Sequence, residues 1–372
     1  MLLTNVHITG REGSFDIGLQ GGKIQSVESH AKAGGWDMQG ALAFPGLINS
    51  HDHLDFNCFS YTANRRYASY REWGKDIQQN NRAAIDRVLR IPAQLRTRWG
   101  MYKNLINGVT TVVHHGERIP AGDHPVHVFQ NCHNLHSVAF EPYWKWKLNN
   151  PLRSATTVAM HAGEGTDKET ENEVTLLLRW NILKRKIVAV HGVCMNETTA
   201  RGFHALTWCP ATNFFLLGKT AEVGKLKKQL PIIFGTDSTL TASWNIWEQL
   251  QEARATGLLT DEELFDAVTR VPADVWGMTN KGKIETGYNA DIVVAKTTSA
   301  LSCEPGQLLL VIQEGIVRLI DASLGQVLAD TDMALYSSCH IQGVKKYVWG
   351  DVAGLISEIH KWCPGIDLPV TI

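Results

Sequence analysis

The chain has 372 residues, 44% of them hydrophobic and 20% charged, with a formal net charge of -1. That length is enough for one large and one smaller folded unit. The even charge balance, with no Lys/Arg cluster, excludes the electrostatic footprint of a nucleic-acid binder or of a protein drawn to anionic membranes.

No apolar run approaches the roughly 20 residues that a membrane-spanning helix needs. The opening MLLTNVHITGREG lacks the basic stretch and long apolar core of a signal peptide. Seven cysteines are scattered without a C-x-x-C pair, and an odd set in a chain of this size does not describe a disulfide framework. The expected location is therefore a reducing cytoplasm. The expected partner is a small-molecule substrate, with no nucleic acid and no membrane, and self-association into a homo-oligomer is left open.

In chain order, Leu2 to Thr9, Phe15 to Leu19 and Lys23 to Val27 read as short strands separated by glycine turns. From about residue 41 the texture becomes buried apolar runs alternating with amphipathic stretches. The runs are Ala41 to Ile48, Val109 to Val113, Val126 to Phe129, Ser137 to Phe140, Thr156 to Met160, Lys186 to Val190, His204 to Trp208 and Pro231 to Phe234. Eight such runs predict an α/β fold, a (β/α)₈ TIM-type barrel, although the third and fourth leave little room for a helix between them. Thr166 and Glu169 read as the capping box of one connecting helix, and a second is expected from about Asp261. Past Lys283 strands return at Asp291 to Ala295, Leu308 to Val311 and Val317 to Ile320. The expected organisation is a barrel over 46–282, flanked by a small β-sandwich built from 1–45 and 283–372.

Several of these runs end in residues that bind metals. One leads into His51-Asp52-His53, and others into His161, His191 and Asp237. In a parallel barrel the C-terminal strand ends converge on one mouth. Residues i and i+2 of a strand share a face, so His51 and His53 can hold one ion while Asp52 points away. Imidazole and carboxylate together suit Zn²⁺ or another borderline divalent ion. Further candidates for substrate contact are Arg65 and Arg66 after His53, Trp144, His133, His136 and Asn213, since aromatic and guanidinium groups on mouth loops can hold a flat heterocycle. His114 and His115 follow the second run and fit a supporting role better than substrate binding.

The segments AFPGLINSHDHLD, His161-Ala-Gly-Glu164, AVHGV around His191, CPATN at 209–213, FGTDS at 234–238 and GKIETGYNADIVV at 282–294 resemble the amidohydrolase superfamily. The H-x-x-E at 161–164 is similar to its mononuclear branch, which includes cytosine, guanine and adenosine-type deaminases and triazine chlorohydrolases. The resemblance implies one divalent ion, Zn²⁺ first and Fe²⁺ second, on His51, His53, His161 and Asp237. It implies that Glu164 moves a proton between the metal-bound water and a substrate ring nitrogen. His191 would contact the water or the tetrahedral centre, and Asp237 would also accept a proton from the water. The implied activity is a hydrolase acting on carbon–nitrogen bonds other than peptide bonds, a deaminase of a small nitrogen-rich heterocycle. The rivals are a chlorohydrolase using the same groups, a binuclear amide or lactone hydrolase bridged by Glu141 or Lys145, and a scaffold protein on an inactive barrel.

Overall fold

The computed structural model describes residues 1–31 and 34–372. Its centre is a set of eight parallel strand segments: β1 (Leu47–Asp52), β2 (Val109–His114), β3 (His127–Phe129), β4 (His133–Leu135), β5 (Val158–Ala162), β6 (Ile187–His191), β7 (Ala205–Trp208) and β8 (Ile232–Phe234). Hydrogen bonding divides them into a three-stranded sheet, β1-β2-β3, and a five-stranded sheet, β8-β7-β6-β5-β4. A parallel bridge between Asp52 and Asp237 joins the two at the β1/β8 edge. No ladder pairs β3 with β4, so the fold is mixed α/β with parallel sheets, and hydrogen bonding does not close the ring that the eight runs predict.

The third and fourth segments depart most from expectation. The fourth strand lies at His133–Leu135 rather than at Ser137 to Phe140. There the Ser137 hydroxyl accepts the amide of Phe140 at 3.1 Å and turns the chain. Three residues separate β3 from β4, too few for a helical crossover. The 115–126 link between β2 and β3 also contains no helix.

Alternation along the strands sorts the core. Val113, Ala159, Val188, Ala205 and Ile233 point into the ring and meet Val275 and Trp276. Their neighbours, among them Val112, Met160, Ala189, Leu206 and Phe234, face the surrounding helices. The connecting helix after β5 runs Lys168–Trp180 and is capped by Asp167, whose carboxylate accepts the Thr170 amide at 2.7 Å. The expected cap, Thr166, instead donates to the Ala68 carbonyl, because the shorter acid one residue on already satisfies the helix start. The helix expected from Asp261 spans Asp261–Asp266 and opens on a Thr260/Glu263 capping box.

Both chain ends enter one eleven-stranded sheet. In it Leu42–Pro45 pairs with Leu2–Ile8 on one side and with Ile292–Ala295 on the other. Leu3, Ile17, Ile24, Ile292, Leu310 and Val317 share a single buried cluster there. The strands Tyr336–Ile341 and Val344–Trp349 and the helix Val352–Trp362 extend this region beyond what the sequence pattern suggested. All seven cysteines are free. No described helix is long and apolar enough to cross a membrane.

The helix Ala93–Leu105 is pressed against the turn that follows β1. A Cβ at Gly100 would lie 2.1 Å from the Leu54 carbonyl oxygen, so only glycine permits this approach. Gly100→Ala is expected to cost about 1–3 kcal/mol as helix and turn are forced apart. A thermal melt checks this, and an unchanged midpoint would show that the contact is soft.

Candidate metal centre

β1 delivers two histidines to the ring interior by means of a bulge. Asn49 pairs with Val112 and Asp52 with His114, so three steps on β1 match two on β2. The extra residue breaks the alternation. Ser50 already faces the core, where its hydroxyl lies 3.4 Å from Trp276 Nε1, and His51 then faces inward too. Asp52 turns outward to the Ala93–Leu105 helix, where Lys103 meets it. His53 returns to the interior beside His51, with ring centroids 4.9 Å apart.

β5 adds His161, inward by the same alternation as Ala159. The candidate ligand atoms of His51, His53 and His161 all lie within 4.8 Å of one another. His161 Nδ1 donates to the His136 carbonyl at 2.8 Å. A carbonyl can only accept, so this bond fixes the tautomer and leaves Nε2 with a free lone pair. That Nε2 sits 3.4 Å from His53 Nε2. Asp237, three residues past β8, places Oδ1 3.7 Å from Nε2 of both His51 and His53, too far for hydrogen bonding. Its Oδ2 is occupied by the Thr212 and Thr241 hydroxyls at 3.0 and 3.1 Å.

Electrostatics put these groups in ligand form. Burial, aided by the neighbouring imidazoles, lowers His53 to about 3. Burial likewise holds His161 well below its ordinary value. Burial opposes ionisation of Asp237, but the surrounding His51, His53 and His191 rings outweigh it and hold the carboxyl below its usual range. Three imidazoles and a carboxyl group therefore converge, and the buried His51 Nε2 has no hydrogen-bond partner among the described residues. An orphaned buried nitrogen beside two closely opposed imidazole nitrogens fits a cation and little else.

Glu164 and His191 stand next to this cluster. Burial, then the charges of Asp237 and Glu173, push Glu164 well above the usual carboxylate range. Its Oε2 is 3.6 Å from His191 Nε2. His191 Nδ1 meets Asn213 Oδ1 at 2.9 Å, and Asn213 Nδ2 donates to Thr220 Oγ1. Trp208 Nε1 donates to the same Thr220 oxygen, an arrangement consistent with the amide presenting its carbonyl to His191. His191 and Asp237 both have left-handed backbones, with φ of 75° and 59°. Each such conformation costs about 1–3 kcal/mol and is found where a side chain must be re-aimed. At His191 it breaks the alternation that would turn the ring outward from Val188 and Val190.

The remaining candidates divide. His136 is at the cluster, its ring centroid 5.0 Å from that of His161, and Asn213 holds His191. Arg65 is an exposed partner of Glu72, and Arg66 packs over Gly218. Trp144 is buried in the helix Trp144–Leu148 beneath Lys145. His133 lies at the opening residue of β4, bonded to Arg185 at 3.1 Å, on the side of the ring away from the strand ends. Glu141 accepts the His136 amide and pairs with Lys147, while Lys145 caps the Trp180 ring at 4.3 Å.

His115 carries more weight than its position in the sequence suggested. It is buried, its ring lies 4.5 Å from His161, and its Nδ1 has no partner among the described residues. It borders a cavity of about 1030 Å³ between the Ala93–Leu105 helix and residues 114–125, which opens on the imidazoles through His53, His115 and His136. The cavity borders the 115–126 link, which supplies a loop in place of a helix.

If the cluster holds an ion, removal by a chelator lowers the melting temperature. Restoring Zn²⁺ to a hundred times its Kd recovers about 2.7 kcal/mol. A melt indifferent to both treatments would show that the cluster takes no metal.

Residues 152–341 match the amidohydrolase family. No curated protein matches the chain. Among solved structures it is similar to an adenosine deaminase from Xanthomonas campestris with bound zinc, at 17% identity and TM-score 0.70 over 97% of each chain. A guanine deaminase from C. acetobutylicum with bound guanine gives 13% identity and TM-score 0.65, covering 85% of this chain and 99% of that one. An atrazine chlorohydrolase from Arthrobacter aurescens complexed with zinc gives 15% identity and TM-score 0.64, covering 88% and 98%. Such identities show a shared fold, and the family match spans half of the sequence: the chain belongs to the amidohydrolase family.

Proposed function

We propose that the chain is a metal-dependent hydrolytic deaminase that removes ammonia or an amine from a carbon–nitrogen centre of a small nitrogen-rich heterocycle. The observation that carries this reading is the pairing of two unlike carboxyl groups. The imidazoles around Asp237 draw its carboxyl below the usual range against the effect of burial, whereas burial pushes Glu164, 3.6 Å from His191, well above it. Acid and base assignments follow from environments that push two titratable groups apart.

His51, His53, His161 and Asp237 would hold one divalent ion, Zn²⁺ before Fe²⁺ on their donor chemistry. Such an ion supplies Lewis acidity and makes hydroxide available near neutral pH. Glu164 would take a proton from the water and pass it to the substrate nitrogen that becomes basic as the ring carbon is attacked, and the proton remaining on the attacking oxygen would pass through Asp237 to the departing amine. His191, with Nδ1 turned to Asn213, keeps Nε2 toward the reacting centre. His115, His136 and the Phe56 ring stacked on His53 line the approach from the cavity. The similarity to deaminases that act on adenosine and guanine supports a heterocyclic substrate.

A binuclear centre is disfavoured because Glu141 is drawn to Lys147 and Lys145 to Trp180, leaving neither as a bridge. The likeness to the chlorohydrolase supports a second reading, in which the same groups expel chloride.

Purified chain is expected to contain about one divalent ion and to release ammonia from at least one of a panel of purines, pyrimidines, pterins and aminotriazines. Chloride release from chlorotriazines alone would favour the second reading, and two ions per chain would favour a binuclear enzyme. Glu164→Gln should retain the ion and lose about 10²–10⁴ of turnover. Full turnover in that variant would remove Glu164 from the mechanism.

A further inference from the structure

Beneath the His51 and His53 pair lies a polar knot that plays no direct part in ion binding. The Asp52 side chain is fully buried, and Lys103, 2% exposed, donates to its Oδ2 at 2.8 Å. Asn104, Asn49 and Thr236 approach the same oxygen at 2.7, 3.1 and 3.3 Å. Asn57 donates to Oδ1 at 2.7 Å. The knot extends to the other side of the centre, because Asn49 Oδ1 accepts the Thr236 amide at 3.1 Å. Thr236 immediately precedes Asp237, whose amide bonds the His51 carbonyl and whose carbonyl accepts the His53 amide.

We infer that Lys103 is a positioning residue for the metal centre: through Asp52 and Thr236 it holds His51, His53 and Asp237 in their converged arrangement. The inference rests on the reading of these residues as ligands. Two physical arguments carry it. A buried ion pair is a poor source of net stability, since apolar residues of equal volume commonly do as well or better. Its placement is therefore informative. Asp52 also stands between two ligands and is itself a good metal donor. A carboxylate offers about four lone-pair sites, and five donors surround this one, four on Oδ2 and one on Oδ1. The knot thus keeps Asp52 out of the coordination sphere while fixing the bulge that turns His51 inward. It also braces the residue before Asp237, whose left-handed backbone needs support from its surroundings.

Lys103→Met keeps the apolar stem and removes the charge. Thr236→Val is nearly isosteric and removes one strut. Each variant is loaded with Co²⁺ for its visible absorption spectrum, and its Zn²⁺ affinity is measured by competition with a chromophoric chelator. The metal-free protein is melted in parallel. Both variants are expected to bind Zn²⁺ about 10–100-fold more weakly and to show altered Co²⁺ bands, with Thr236→Val melting close to wild type. Wild-type affinity and spectrum in both variants would overturn the inference, even if Lys103→Met melts earlier. Should Lys103→Met fail to fold, Thr236→Val decides by the same criteria. A wild-type chain that takes up no Zn²⁺ would sink the metal reading itself, whereas equal binding by wild type and variants sinks only the role of Lys103.

Discussion

Three imidazoles and a carboxyl group share one small buried volume, and much of the architecture serves to keep them converged. Left alone, such a cluster would gain from protonating a ring or from turning rings away from one another. Burial disfavours the first course. The second is opposed by bonds at the far side of two of the groups: His161 Nδ1 is engaged by the His136 carbonyl, and Asp237 Oδ2 by Thr212 and Thr241. The free lone pairs are left on the inner side. A bulge in β1 and two left-handed residues complete the convergence, at a conformational cost borne by the packed strands around them.

The same low-dielectric surroundings divide the two acids. Asp237, ringed by imidazoles, stays charged. Glu164, a short way along the rim, is pushed up first by its own burial and then by the negative charges of Asp237 and Glu173. The cavity beside His53, His115 and His136 arises from a different feature, the truncated connections around β3 and β4. Where other parallel units place a helix, this chain runs a loop, and the vacated flank becomes space next to the metal centre.

The strand ends were legible because periodicity survives in a single sequence. Apolar runs at Val109, Thr156, Lys186 and Pro231 each mark a strand that ends in or near a His or Asp residue, and all four lie within two residues of the observed elements. The fourth strand was not legible, since Ser137 to Phe140 is more apolar than the true strand His133 to Leu135, and the turn made by the Ser137 hydroxyl leaves no mark on the apolar pattern. Lys103 left a faint signal as a charged residue among Trp99, Met101, Tyr102 and Leu105, but its partner is 51 positions away. His115 is visible in the sequence, but adjacent histidines after a strand do not show which ring points inward. His133 and Trp144 were misleading for the same reason: proximity to a strand in sequence does not reveal which end of the strand, or which face of a helix, a side chain occupies.

The sequence alone determined an α/β chain of the amidohydrolase type with His and Asp residues at successive strand ends, since local periodicity and motif spacing are properties of neighbouring residues. Only the tertiary structure decided that the ring is unpaired between its third and fourth segments, that Asp52 faces Lys103, and that the surroundings push Asp237 and Glu164 in opposite directions. Those outcomes depend on burial, bulges and partners tens to hundreds of residues apart, and solvent exclusion and electrostatic environment exist only once the chain has closed around them.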